Sequence, residues 1–178
     1  QPEVSQGMLQ AIFEYQSSIC ALTGMDVANA SLYDGASACA EACLLAIRSR
    51  KKGKKLYIAA SLHPNYRKVI EQYIQYQEIE LIEIPNTDEG LLDLSSVLHT
   101  IDDSIIGVLV QSPNFFGSIE DLKSFFSKVK EYGGVSILCS DLLSYGIFSS
   151  AAELGADIAV GDSQSFGLPL SFGGAYAG

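Results

Sequence analysis

Five short apolar runs alternate with stretches of helical period, and this alternation confines the chain to a sheet layered with helices. The runs are Leu56-Tyr57-Ile58-Ala59-Ala60, Ile79-Glu80-Leu81-Ile82-Glu83-Ile84, Ile105-Ile106-Gly107-Val108-Leu109-Val110, Val135-Ser136-Ile137-Leu138-Cys139 and Asp157-Ile158-Ala159-Val160-Gly161-Asp162. Strands separated by helices imply βαβ units, so the expected class is α/β, with a mostly parallel sheet flanked by helices.

The helical stretches are equally legible. Met8, Ile12, Tyr15, Ile19 and Leu22 recur at steps of four and three, placing them on one helix face, and Gly24 is a natural stop. From about residue 35 to 50, Ala36, Ala38, Cys39, Ala40, Ala42, Cys43, Leu44 and Ile47 are small and apolar all round, which predicts a buried, closely packed helix. Pro64 suits the first turn of a helix bearing Val69, Ile70, Tyr73 and Ile74. A short helix is expected around Ser95–Leu98. Leu122, Phe125, Phe126 and Val129 predict another helix, stopped by Gly133-Gly134. No repeat or low-complexity linker interrupts the pattern, so residues 1–178 are expected to form a single α/β domain. The absence of an initiator Met and the Gly-rich finish suggest a fragment of a longer chain.

Composition removes several function classes. Eleven basic residues against 21 acidic give a net charge of −10, which repels phosphate backbones and argues against nucleic acid. No run approaches the roughly 18 apolar residues of a membrane span. Four Cys in 178 residues are too sparse for a disulfide scaffold. Six of the eleven basic residues lie between Arg48 and Lys55, just after the Ala-rich helix. There they complement the negative end of the helix dipole, a simpler account than an anion-binding patch. The balance suits a soluble cytoplasmic protein.

In an open α/β sheet, ligands bind beyond the carboxyl ends of the strands. The polar residues expected there are His63 after the first strand, Asn114 after the third, Asp141 after the fourth and Ser163-Gln164-Ser165 after the fifth. Gly35, Ala36 and Ser37 open the buried helix and offer backbone N–H groups to an anion. Neither a dinucleotide Gly-rich fingerprint nor a Walker loop is present. A phosphate cradle, an imidazole to stack on a ring and an Asp to pair with a pyridine nitrogen together suit pyridoxal phosphate. The Schiff-base lysine is missing: all eight Lys lie at or before Lys130.

The longer motifs carry a resemblance. Gln1-Pro2-Glu3-Val4-Ser5-Gln6-Gly7, the segment Leu22–Ser31, Tyr33-Asp34-Gly35-Ala36, His63-Pro64-Asn65-Tyr66-Arg67, Gln111–Gly117 and Gly161–Gly174 are similar to the N-terminal half, or subunit 1, of the glycine cleavage system P-protein family. That family, glycine dehydrogenase (decarboxylating), has the aspartate-aminotransferase fold, so the resemblance implies the large domain of a fold-type-I pyridoxal-phosphate protein. It further implies an enzyme that decarboxylates glycine through pyridoxal phosphate, releases CO2 and passes the aminomethyl group to the lipoyl arm of H-protein. The catalytic lysine and the cofactor then belong to P-protein subunit 2. Ser163-Gln164-Ser165-Phe166 parallels the His-Lys-Thr-Phe pattern of the active half, placing Gln164 where the lysine would stand. A Gln amide cannot form an imine, so no catalytic residue is expected in this chain and the excised fragment is expected to be inactive. Gly35, Ala36, Ser37, His63, Asn114, Asp141 and Gln164 remain as vestigial or interface positions of a cofactor site. The setting implied is bacterial cytoplasm, or the mitochondrion for a fused form. An independently active fold-type-I enzyme and a non-catalytic scaffold stay open as alternatives.

Structural readings stand beside these. His63 is equally a polar cap at a strand–helix junction, Asp141 a carboxylate paired with a buried donor, and His99 a solvated residue. Cys39 and Cys43 have a spacing a metal could use, but no further ligand pair follows, so no metal site is expected and core packing accounts for them. Cys139 reads the same way, and Cys20 has no basic neighbour to activate it. Gly167, Gly173 and Gly174 suggest a bend that lets the backbone approach a partner chain. Phe13 and Tyr15 suit either a subunit contact or core packing.

Overall fold

The computed structural model describes residues 1–173 and 175–178. Its centre is five parallel strands, β1 (Lys55–Ala59), β2 (Glu80–Ile84), β3 (Ile105–Gln111), β4 (Val135–Cys139) and β5 (Ile158–Val160), in the order β2-β1-β3-β4-β5. The chain steps outward from β1 to β2, returns past β1 to β3, and then proceeds through β4 to β5. The reversal between β1 and β3 is a topological switch point. In register, Leu109 of β3 pairs with Ile58 of β1 on one side and Ile137 of β4 on the other. Every residue from Ile105 to Val110 is buried, as expected of a parallel strand covered on both faces.

The small residues of α2 (Gly35–Ser49) let it press closely on α3 (Pro64–Ile74) and across β3, β4 and β5. Ala38, Cys39, Ala40, Ala42, Cys43 and Ala46 are all buried along it. On β4 lies α5 (Lys123–Glu131), whose Phe125, Phe126 and Val129 are buried and which also touches α6 (Ala151–Leu154). The short α4 (Leu94–Leu98) packs against β2.

Two differences from expectation have physical causes. The run Asp157–Asp162 yields only three strand residues, because β5 is the half-buried edge of the sheet and Gly161 and Asp162 leave the ladder to form the end of the sheet. Between β4 and β5 the chain forms a 3-10 turn (Leu142–Gly146) and α6, neither of which was foreseen. Its signal was present: Ser150 and Glu153 form a capping box, with the Glu153 N–H donating to Ser150 Oγ (3.3 Å) and the Ser150 N–H donating to Glu153 Oε2 (2.9 Å).

The first helix, α1 (Pro2–Thr23), departs most. Its 22 residues extend about 33 Å at 1.5 Å per residue, and Thr23 alone among them is buried. Ile12, Tyr15, Ile19 and Leu22 are half-buried, the last turns resting on the Leu142–Gly146 turn, whereas Val4, Met8, Leu9 and Phe13 are exposed. Core packing of Phe13 is thereby overturned, since the amino-terminal half of the helix runs past the body of the sheet. A cavity of about 480 Å³ lies between α1, α2 and β5, with Tyr15, Ile19, Ala42 and Ala159 in its walls.

The basic cluster sits at the amino end of the sheet. Arg50 Nε donates to Ile105 O (3.4 Å) and its Nη2 to Tyr132 O (3.3 Å), clamping the exit of α2 onto β3 and α5. Lys55 pairs with Asp102, and hydrogen bonds from Lys55 first, then from the Ser104 hydroxyl and N–H, hold the Asp102 carboxyl down to about 2 from an ordinary value of 3.8. A depressed carboxylate contributes stability that is complete above its unfolded value and is lost as pH falls through its folded one. Urea midpoints of the natural chain are therefore expected to fall more steeply between pH 4 and pH 2 than those of Asp102→Asn. The difference is small because Asp102 faces water.

Candidate functional site at the carboxyl ends of the strands

Each residue expected beyond the carboxyl ends is found there, and each has local work. At the start of α2, Asp34 is the N-cap: its Oδ1 accepts from the Ser37 N–H (2.7 Å), and Ser37 Oγ accepts from the Asp34 N–H (3.1 Å). The Gly35 N–H donates to Asp162 Oδ2 (3.3 Å). Two carboxylates thus take two of the donors that an anion at this helix end would need.

Gly35 is glycine for space. A Cβ there would stand 2.5 Å from Tyr66 Oη and 3.1 Å from Gly161 O. Tyr66 comes from the first turn of α3, and burial raises its hydroxyl pKa. Its ring lies 5.0 Å from that of His63, tilted by 33°. His63 caps α3, its Nδ1 accepting from the Asn65 N–H (3.1 Å), and its own N–H donates to Gln111 Oε1 (2.8 Å) at the end of β3. Phe115 meets the imidazole edge-on at 5.2 Å. The cap reading of His63 therefore holds, with two aromatic rings flanking it.

Asn114 is buried and its amide is fully engaged. Nδ2 donates to Gly90 O (2.9 Å) and Glu120 Oε1 (2.8 Å), while Oδ1 accepts from the N–H groups of Phe116 and Ser118 (both 3.0 Å). It builds the loop that lifts Phe115 and Phe116 to the surface. Asp141 is exposed and caps the Leu142–Gly146 turn, accepting from the Leu143 N–H (2.8 Å) and the Ser165 hydroxyl (3.0 Å). Pairing with a buried donor is thus not its role, because the residue stands past the strand in solvent. Gln164 begins a 3-10 turn (Gln164–Phe166); its N–H donates to Asp162 Oδ1 (2.8 Å) and its Nε2 to Leu168 O (2.8 Å).

Asp162 thus joins the two halves of the site, one oxygen on α2 and the other on the Gln164 turn. Sequence reading passed over it, as it did Tyr66. Asp162 carried one usable signal, a carboxylate directly after a strand-end glycine. His99 is exposed at the end of α4. Cys39, Cys43 and Cys139 are buried; contact with the Cys139 thiol, then burial, raises the Cys39 thiol, and burial pushes Cys43 up to about 12. Such thiols are packing groups rather than nucleophiles. Among the described residues no group of three or more His, Cys, Asp or Glu is placed to hold a metal ion, and no helix is long and apolar enough to cross a membrane.

The residues fit pyridoxal phosphate poorly as a resident group. The position after β5 carries an amide already bound to the backbone, and the helix N-terminus faces Asp34 and Asp162.

The fold is that of the fold-type-I pyridoxal-phosphate enzymes: 99% of the chain superposes on a cysteine desulfurase from Escherichia coli, covering 45% of that chain, with a TM-score of 0.72 at 12% identity. Residues 1–178 match the family model of the glycine cleavage system P-protein, and the chain belongs to that family. It is 58% identical to the "Probable glycine dehydrogenase (decarboxylating) subunit 1" of Protochlamydia amoebophila, over all of this chain and 40% of the relative. It is 41% identical to a crystal structure of glycine decarboxylase (P-protein) of the glycine cleavage system in inhibitor-bound form, with a TM-score of 0.91 over 99% of this chain and 40% of that one. The chain therefore spans two fifths of the length of these relatives.

Proposed function

We propose that this chain is part of the P-protein subunit that lacks the Schiff-base lysine, and that it works in a two-subunit glycine dehydrogenase (decarboxylating). In that assembly P-protein subunit 2 holds pyridoxal phosphate, glycine is the substrate, and the aminomethyl group passes to the lipoyl arm of H-protein in the cytoplasm. When bound, the cofactor draws off the negative charge left as CO2 departs from glycine. This chain shapes the end of the sheet that faces the partner, and it takes no proton and forms no bond to substrate.

The observation that carries this reading is Gln164. Its Nε2 is spent on Leu168 O, and residues 131–178, which include the turn after β5, contain no lysine. An amide nitrogen is not nucleophilic enough to condense with an aldehyde. Asp34 and Asp162 at the start of α2 support the reading, since a phosphate there would meet two carboxylates.

Borohydride trapping with pyridoxal phosphate, followed by intact mass, tests it on the full-length chain alone and with subunit 2. An adduct on subunit 2 only, with no CO2 release from glycine by the chain alone, is expected. A stoichiometric single-site adduct on this chain by itself would make it an enzyme in its own right.

A further inference from the structure

We propose that the Asp34-Gly35 pair is a latent site of isoaspartate formation, kept closed by the capping box of α2 and by Asp162. Of the ten Asp residues in the chain, only Asp34 is followed by glycine. A glycine puts no side chain in the way of its own nitrogen and leaves the backbone free to swing that nitrogen round. The reaction needs nothing but the chain and water. The Gly35 nitrogen attacks Cγ of the Asp34 carboxyl, an N–Cγ bond forms, and the carboxyl OH leaves with the amide hydrogen as water. Water then adds at the former main-chain carbonyl and breaks its bond to nitrogen. The chain now runs through Cβ and Cγ of residue 34, and the old carbonyl is a free carboxylate.

In the folded chain the two reacting groups are drawn to different partners. Asp34 Oδ1 accepts from the Ser37 N–H (2.7 Å) and the Ser37 hydroxyl (2.6 Å), which commits the carboxyl to the first turn of α2. The Gly35 N–H is aimed instead at Asp162 Oδ2 (3.3 Å). Asp162 is itself fixed, because its Oδ1 accepts from the Gln164 N–H (2.8 Å). Ring closure requires Cβ of Asp34 and the Gly35 nitrogen to be nearly eclipsed, which the extended backbone at Asp34 (φ −159°, ψ 172°) does not give. Rotation towards it would break the bond from the Ala38 N–H to Asp34 O (2.9 Å), the first of the helix.

The product also has no room. It carries one more main-chain carbon at a place where Gly35 is buried, and where even a Cβ would stand 2.5 Å from Tyr66 Oη. Modification therefore follows the population in which the start of α2 has opened. Once made, it is not reversed by refolding, since the Asp34 cap is gone and the lengthened chain no longer fits beside Tyr66. Asp162 thus acts as a positioning residue that holds a reactive dipeptide shut from 127 positions away.

Ageing of the full-length chain at pH 7 tests this, with isoaspartate at residue 34 read by mass spectrometry after digestion by a protease that cuts before aspartate but not before isoaspartate. The folded natural chain is expected to modify at least about 100-fold more slowly than the same chain in urea. Asp162→Ala removes the acceptor of the Gly35 N–H and is expected to raise the folded rate about ten-fold, the loss of one hydrogen bond to a charged group. Val129→Ala, in the buried face of α5 and away from α2, lowers general stability and is expected to leave the rate unchanged. Circular dichroism checks the fold of each variant. If Asp162→Ala does not fold, Asp162→Asn carries the same test, since its neutral oxygen accepts more weakly. Equal rates with and without urea overturn the closure. A rate in the Asp162 variant no higher than the natural one, or matched by Val129→Ala, overturns the role of Asp162.

Discussion

Gly161→Ala is expected to destabilise the chain by about 3 kcal/mol, the upper end for over-packing, because the atom in its way is backbone. A Cβ on Gly161 would overlap the carbonyl oxygen of Ser140 at the end of β4. It cannot be relieved by turning a side chain. Moving Gly161 away from Ser140 strains the bond from the Ser140 N–H to Val160 O (2.9 Å), which closes the β4–β5 ladder. For a chain of this size the loss corresponds to a Tm lowered by roughly 6–12 °C. Gly146→Ala serves as the control, since a Cβ there meets nothing within 4 Å and its cost should be small. Thermal unfolding of the two variants separates close approach from the general cost of replacing glycine.

Asn114→Asp should cost about as much or more, roughly 3–5 kcal/mol at neutral pH. The change removes both amide hydrogens and sets a second carboxylate against Glu120, whose Oε1 accepts from Asn114 Nδ2 and which is only 5% exposed. Two carboxylates sharing a buried site cannot both ionise cheaply, so one pKa of the variant pair rises. A raised folded pKa makes the penalty shrink as pH falls, so the deficit of Asn114→Asp against the natural chain should narrow from pH 7 to pH 5. A deficit independent of pH would show that the lost donors, rather than the paired charges, carry the cost. Asn114 holds the turn under Phe115, so the contact of Phe115 with His63 should loosen in the same variant.

The parts of the fold that were legible are those whose cause is local. Five apolar runs became five strands, and the Ala-rich stretch became a buried helix, since continuous apolar character admits few other solutions in water. The strand-end rule gathered His63, Asn114, Asp141 and Gln164 at one end of the sheet, because parallel βαβ connections bring every strand end to one side. Their roles were less legible. Asp162 reaches Gly35 across 127 positions of sequence, and Tyr66 of α3 reaches the same glycine from another element. Nothing in the neighbourhood of either residue encodes that meeting. Asn114 looked like a ligand-facing polar group, yet the amide is consumed by four bonds within its own loop and the adjoining turn.

By itself, the order of residues determined the α/β class, the lack of lysine in residues 131–178 and the amide at position 164. These are properties of composition and period, and no packing can alter them. Tertiary structure alone decided which half of α1 is covered, that two carboxylates cap the start of α2, and that Phe172 stands in solvent. Each of these depends on which distant segments the sheet order brings together, and on which polar groups are left without water when they meet. The chemistry deduced for this end of the sheet comes from that closure.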